Sequence, residues 1–181
     1  MNKFTATIGA GILGSLLLVP AFGAPQAIAS SEPSQVTAKI VNSKGKEVGT
    51  AVITPKGNGV QLHLEAKNLP PGIHGIHFHE TGKCEPPAFK SAGEHFNPGH
   101  KQHGFNNPKG FHAGDLPNIQ VKDDGTVVAD IASNQVTLAK GAPNSLLKSD
   151  GTAIVIHEKA DDYVTDPSGN SGNRIACGVI R

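Results

Sequence analysis

From residue 36 onward apolar and polar positions alternate in short runs, with a turn signal roughly every ten residues. Such runs span 36–41, 48–53, 60–66, 73–79, 119–122, 126–131, 152–157 and 174–180. Val60-Gln61-Leu62-His63-Leu64-Glu65-Ala66 shows the two-residue period most cleanly. Clusters such as Asn42-Ser43-Lys44-Gly45, Asn68-Leu69-Pro70-Pro71-Gly72 and Asp123-Asp124-Gly125 break the runs where turns belong. Eight short strands without a long amphipathic helix predict an all-β, antiparallel barrel or sandwich. Asn144-Ser145-Leu146-Leu147 is compatible with one helical turn. Two segments fit no sheet: 80–114, rich in Gly, Pro, Asn, Lys and His, and 158–173, rich in Asp, Ser, Gly and Asn. Loops of that length are uncommon unless they are functional or held by an anchor.

The start of the chain has another pattern. Lys3 precedes an apolar stretch over 8–22, which is shorter than the roughly 20 residues needed to cross a bilayer. Ala27-Ile28-Ala29 then offers a small-x-small cleavage site. The pattern predicts a signal peptide over 1–29, a flexible lead-in over 30–35 and one domain over 36–181. An uncleaved anchor helix is the alternative. Cleavage would leave no membrane span and deliver the protein to the outside, the cell envelope or a periplasm. No cysteine lies in the leader, which argues against lipid attachment.

Composition narrows the chemistry. Gly (22) and Pro (13) are too frequent for a helical bundle. The formal charge is +1, and removing 1–29 removes Lys3 and no acid, leaving 15 basic and 15 acidic residues. With no basic block, no Trp and one Tyr, nucleic-acid binding is disfavoured. Two cysteines, Cys84 and Cys177, and a methionine only at position 1 exclude iron–sulfur, four-cysteine zinc and blue-copper sites. In an exported chain the two cysteines can pair as a disulfide; two free buried thiols are the alternative.

Nine histidines are present, six of them between positions 74 and 103. His77 and His79 are two apart in a strand run, so both imidazoles lie on one face. His157 follows the apolar run Ile154-Val155-Ile156. These three with a fourth imidazole from a loop form a nitrogen-rich set suited to copper(II). His95, His103, His112 and Asp115 are a sufficient tetrahedral zinc set, with His100 a competing ligand. His63, in an alternating strand, and His74, facing away from His77, read as structural.

Five segments together resemble copper/zinc superoxide dismutase. They are Gly72-Ile73-His74-Gly75-Ile76-His77-Phe78-His79-Glu80, Gly93-Glu94-His95-Phe96-Asn97-Pro98, His112-Ala113-Gly114-Asp115-Leu116, His157-Glu158-Lys159-Ala160-Asp161-Asp162 and Gly172-Asn173-Arg174-Ile175-Ala176-Cys177-Gly178-Val179-Ile180. The resemblance covers roughly 36–180. It implies an eight-stranded Greek-key barrel that converts superoxide to O2 and hydrogen peroxide by alternate reduction and reoxidation of copper, with zinc structural. It assigns copper to His77, His79, His95 and His157, and zinc to His95, His103, His112 and Asp115. His95 would bridge the two metals and carry a catalytic proton. The resemblance further implies a Cys84–Cys177 disulfide, an Asp161 carboxylate linking His77 to His103, and Arg174 guiding the anion beside copper. The family includes dimers and monomers, so a second copy is a candidate partner. One departure stands out: 163–173 carries no lysine, so strong electrostatic steering through this loop is not expected. Two other readings remain, an exported copper/zinc-binding protein without activity and a β-barrel adhesion module.

Overall fold

A computed structural model describes residues 33–181 together with positions 1 and 3. But for those two positions, the expected leader over 1–29 lies outside the described residues. The chain divides into two units, Met1–Ser30 and Ser31–Arg181, and the fold is that of the second. It has nine strands: β1 (Val36–Asn42), β2 (Glu47–Lys56), β3 (Gly59–Ala66), β4 (Gly72–His74), β5 (Ile76–His79), β6 (Ile119–Val121), β7 (Val127–Ser133), β8 (Thr152–His157) and β9 (Arg174–Ile180). A curled seven-stranded sheet runs β5-β8-β9-β1-β2-β3-β7, and β4 pairs with β6. Every pairing is antiparallel. β3 passes over β4 to pair with β7, and β5 pairs with β8, as long Greek-key connections do.

Where one strand was expected over 73–79, the structure has two. β4 and β5 part at Gly75 and pair in different sheets. Gly75 donates its N–H to Lys159 O and accepts from His157 N–H, both at 2.8 Å. A Cβ there would lie 3.1 Å from the Ser171 Cβ and 3.3 Å from His77 Cε1, so a glycine lets the chain change sheets beside the histidines. The expected helical turn at 144–147 is also absent. Thr137 N–H donates to Asn144 O and Leu146 N–H to Thr137 O, a bridge that takes the backbone groups a helical turn would use.

Alternation accounts for the core. Ala38 and Ile40 of β1, Ile53 of β2, Leu62 and Leu64 of β3 and Ile76 and Phe78 of β5 point inward and are buried. β8 departs from alternation because both of its faces are covered: Ile154 and Ile156 join the barrel core, while Ala153 and Val155 pack outward on Phe89, Ala92 and Cys177. The outer cover belongs to the connection from β5 to β6, which holds the 3-10 turn Lys90–Ala92. A Cys84–Cys177 disulfide, with Cα atoms 5.6 Å apart, pins that cover to β9. It closes a loop of sequence separation 93, worth about 4–5 kcal/mol in chain entropy.

Candidate metal centre

β5 sends Ile76 and Phe78 into the barrel, so His77 and His79 face outward, under the cover. β8 delivers His157 at its last position, where its register with β9 shifts and His157 faces Arg174. Two loop segments reach β5 by short backbone ladders. Phe96 N–H donates to Phe78 O at 2.8 Å, which sets His95 beside His79. Phe78 N–H donates to Gly114 O at 2.9 Å, which sets Asp115 beside His77. A Cβ on Gly114 would stand 2.3 Å from Phe78 O, so only glycine permits that approach.

Seven side chains assemble there. His77, His79, His95 and His157 present ring nitrogens that all lie within 4.8 Å of one another. The atoms His77 Nδ1, His79 Nε2, His95 Nε2 and His157 Nε2 are buried and have no hydrogen-bond partner. The opposite nitrogen of each ring is occupied. His77 Nε2 meets Asp161 Oδ2 at 2.8 Å, His79 Nδ1 donates to Gly93 O at 3.0 Å, and His157 Nδ1 donates to Gly172 O at 3.4 Å. Those bonds set the tautomers and leave lone pairs pointing at one spot. An unpaired buried acceptor costs about 1–3 kcal/mol, so four together mark the place of a bound cation. Four imidazole nitrogens fit copper(II).

On the far side of His95 a second set gathers around Asp115. Its Oδ1 lies 3.1 Å from His95 Nδ1, 3.1 Å from His103 Nδ1 and 3.2 Å from His112 Nδ1, and the last is 3.3 Å from His95 Nδ1. Ligands about 2.0–2.1 Å from one tetrahedral ion stand roughly 3.3 Å from each other, so the spacing fits zinc. His77 also comes within ligand range of His95, His103 and Asp115. Its Nε2 is committed to Asp161 and its Nδ1 to the first set, so His112 is the better fourth member here.

Asp161 joins the two sets, with Oδ2 on His77 and Oδ1 3.0 Å from His103 Nε2. Burial pushes the pKa of His95 down to about 3 and that of His157 to about 2, assisted by neighbouring histidines. Burial likewise holds His79 well below the usual value. His103 is opposed by its burial, yet hydrogen bonds to Asp115 and Asp161 lift it to about 9. Both carboxylates lie far below the usual range, their desolvation outweighed by their histidine partners. In the metal-free chain a proton on His103 thus stands where a cation belongs.

The half-buried Arg174 lines a cavity of about 620 Å³ with Asn173, Glu158, Glu94 and Lys90. Its Nη1 donates to Phe89 O at 2.9 Å. Its charge is held by a backbone oxygen, with no carboxylate within ion-pair distance among the described residues.

The competing zinc candidate His100 is exposed at φ 50° and joins neither set, and the two histidines read as structural also lie outside both. His63 pairs with Asp130 and Glu65 on the barrel surface. His74 is buried between Pro70 O and His157 O, 2.8 Å from each, and steadies the backbone of a site residue. Sequence reasoning missed Asn118 and Gly169. Asn118 Oδ1 accepts Asp161 N–H and its Nδ2 donates to Asp161 O, each at 2.9 Å. A Cβ on Gly169, at φ +63°, would stand 1.8 Å from Asp161 Oδ1. An asparagine and a glycine in loops rich in both offer no signal of such roles.

A protein-family description, "Copper/zinc superoxide dismutase (SODC)", matches residues 47–180. Cu-Zn superoxide dismutase 1 of Aquifex aeolicus is 54% identical over 145 residues, 80% of this chain and 86% of that protein. A SOD-like protein from Bacillus subtilis has a solved structure with TM-score 0.78 and 48% identity, covering 80% of this chain and 97% of that one. The Cu/Zn superoxide dismutase from Brucella abortus superposes with TM-score 0.67 at 32% identity, covering 81% and 99%.

Proposed function

The chain belongs to the copper/zinc superoxide dismutase family, and from that membership we infer that its two histidine sets are the copper and zinc sites of an enzyme converting superoxide to O2 and hydrogen peroxide. His77, His79, His95 and His157 hold copper through the four unpartnered nitrogens. His95, His103, His112 and Asp115 hold zinc. When bound, copper supplies a one-electron couple that can oxidise one superoxide and reduce the next, and zinc supplies fixed positive charge behind His95.

The protein's own part is to bind, orient and move a proton. Arg174 offers a guanidinium, positioned by Phe89 O, to a small anion entering beside His157. His95 Nε2 is the atom that can take a proton and return it to the departing product, while its Nδ1 stays fixed at the Asp115 side. Asp161 orients a ring from each set, so neither imidazole turns as the proton moves. The burial that keeps His95 neutral also excludes bulk water from Nε2.

Export completes the reading. The leader pattern over 1–29 and a disulfide in a chain of this size support an oxidising compartment outside the cytoplasm. No helix among the described residues is long and apolar enough to cross a membrane.

The observation that carries the assignment is the four orphaned nitrogens facing one point, with His95 shared by a zinc-type set. The test is superoxide consumption by purified protein shown by elemental analysis to hold both metals. Turnover far above free solution is expected. Full loading without turnover would reject the enzymatic reading in favour of simple metal binding.

A further inference from the structure

All four polar atoms of His103 are engaged, and both partners of its backbone lie outside the donor sets and outside the Asp161 link. The ring nitrogens meet Asp115 and Asp161. The backbone N–H donates to Asp166 Oδ1 at 2.7 Å, and the backbone carbonyl accepts from Asn107 Nδ2 at 3.0 Å. Asp166 lies across the site on the 158–173 loop, whereas His103 and Asn107 lie on the β5–β6 connection. The β5–β6 connection makes further contacts with Tyr163. Asn106 N–H donates to Tyr163 O at 2.9 Å, Asn118 N–H donates to the Tyr163 hydroxyl at 2.7 Å, and a Cβ on Gly104 would stand 2.2 Å from Tyr163 O. Tyr163 is at φ 62°, a costly conformation for a bulky residue, and one that surrounding structure must impose.

We propose that Asp166 is a positioning residue for zinc: by accepting the His103 backbone N–H it clasps the 158–173 loop to the β5–β6 connection, with Asn107 and Tyr163 completing the clasp, and sets the His103 ring at the distance zinc requires. The proposal rests on the zinc assignment above. His103 belongs to no strand; Phe105 packs on Phe111 and Tyr163 beside it, and the hydrogen bonds to its own backbone N–H and carbonyl are what fix its position within that packing. Asp166 is exposed and outside the barrel, so its role is separable from folding.

The test compares Asp166→Ala with Asp166→Asn, which keeps an acceptor oxygen but not the charge. Zinc affinity is read by competition with a chromophoric chelator, the geometry of the site by the visible spectrum of Co²⁺ loaded in place of zinc, and the barrel by thermal melting of the metal-free chain. Asp166→Ala should weaken zinc binding roughly tenfold, the low end for loss of a residue supporting a ligand. The Co²⁺ bands should shift, and the metal-free melting temperature should stay close to that of the parent. Asp166→Asn should recover most of the affinity. An Asp166→Ala affinity within about twofold of the parent would overturn the clasp, as would a loss mirrored in metal-free melting or unrelieved by asparagine. A parent protein that takes up no zinc would overturn the zinc assignment itself, and the clasp with it.

Discussion

His95 has one nitrogen in each donor set, so a single substitution should separate the functions that the ring joins. His95→Ala leaves His77, His79 and His157 for copper. The variant should keep part of its copper while losing most superoxide consumption; full activity with copper present would refute the shared ring. Protonation offers a second test at this scale. His79, His95 and His157 resist protonation in the folded metal-free chain but accept protons near pH 6.5 once unfolded. The unfolded state therefore binds more protons, and stability should fall as pH drops from about 6.5 towards 3. His103 has the opposite sign: its contribution is complete below 6.5 and is lost as pH rises through about 9. Chelator-stripped protein should melt highest near neutrality, and a melting temperature unchanged between pH 6.5 and 4 would contradict the buried neutral histidines. The ligands were legible as residues because imidazoles are rare and dense in these loops. Spacing alone left His100 as a competitor to the His95, His103, His112 and Asp115 set; the structure puts His112 Nδ1 3.2 Å from Asp115 Oδ1 and leaves His100 exposed.

The elements show why the site has its shape. The alternating strands β1 to β3 were visible because one face is apolar and the other polar. The 73–79 run was read as continuous because its apolar period does not register the change of sheet at Gly75, where Ser171 and Asp161 crowd in from elsewhere in the chain. The unbroken apolar run of β8 makes sense only with the disulfide-pinned cover outside it. That cover also carries the oxygen that holds Arg174. Replacing Cys84 and Cys177 together by Ala should cost about 2–5 kcal/mol in denaturant unfolding, with the chain-entropy value as the upper end. It should also lower kcat/KM for superoxide in fully loaded protein, because Phe89 would no longer fix the guanidinium. Unchanged kcat/KM beside lowered stability would separate the cover from anion binding. Phe78→Ala, on the inner face of β5 between two ligands, should cost about 3–5 kcal/mol and reduce metal uptake as well.

Across the whole molecule, a barrel with its own core supports two loops held by polar contacts, by the disulfide-pinned packing on β8 and by the site they enclose. Chelation should therefore lower the melting temperature without abolishing the β-sheet signal in circular dichroism. A ligand present at about a thousand times its Kd stabilises by about 4 kcal/mol, which is the size of loss to expect from each tightly held metal. Loss of all sheet signal on stripping at room temperature would show that the barrel depends on the metals. The cavity beside Arg174 holds two cations, Lys90 and Arg174, and two acids, Glu94 and Glu158. Its charge is balanced, in keeping with the lysine-free 163–173 segment. The all-β class, most of the strand runs and the pool of candidate donor residues were determined by the sequence alone, because hydrophobic period and residue chemistry are local properties. Which nitrogen of each ring faces which set, the split at Gly75, and the holds on Asp161 and His103 by Asn118, Gly169 and Asp166 were decided by the tertiary structure. Those depend on backbone groups from distant loops meeting at fixed distances, and no local pattern encodes such a meeting.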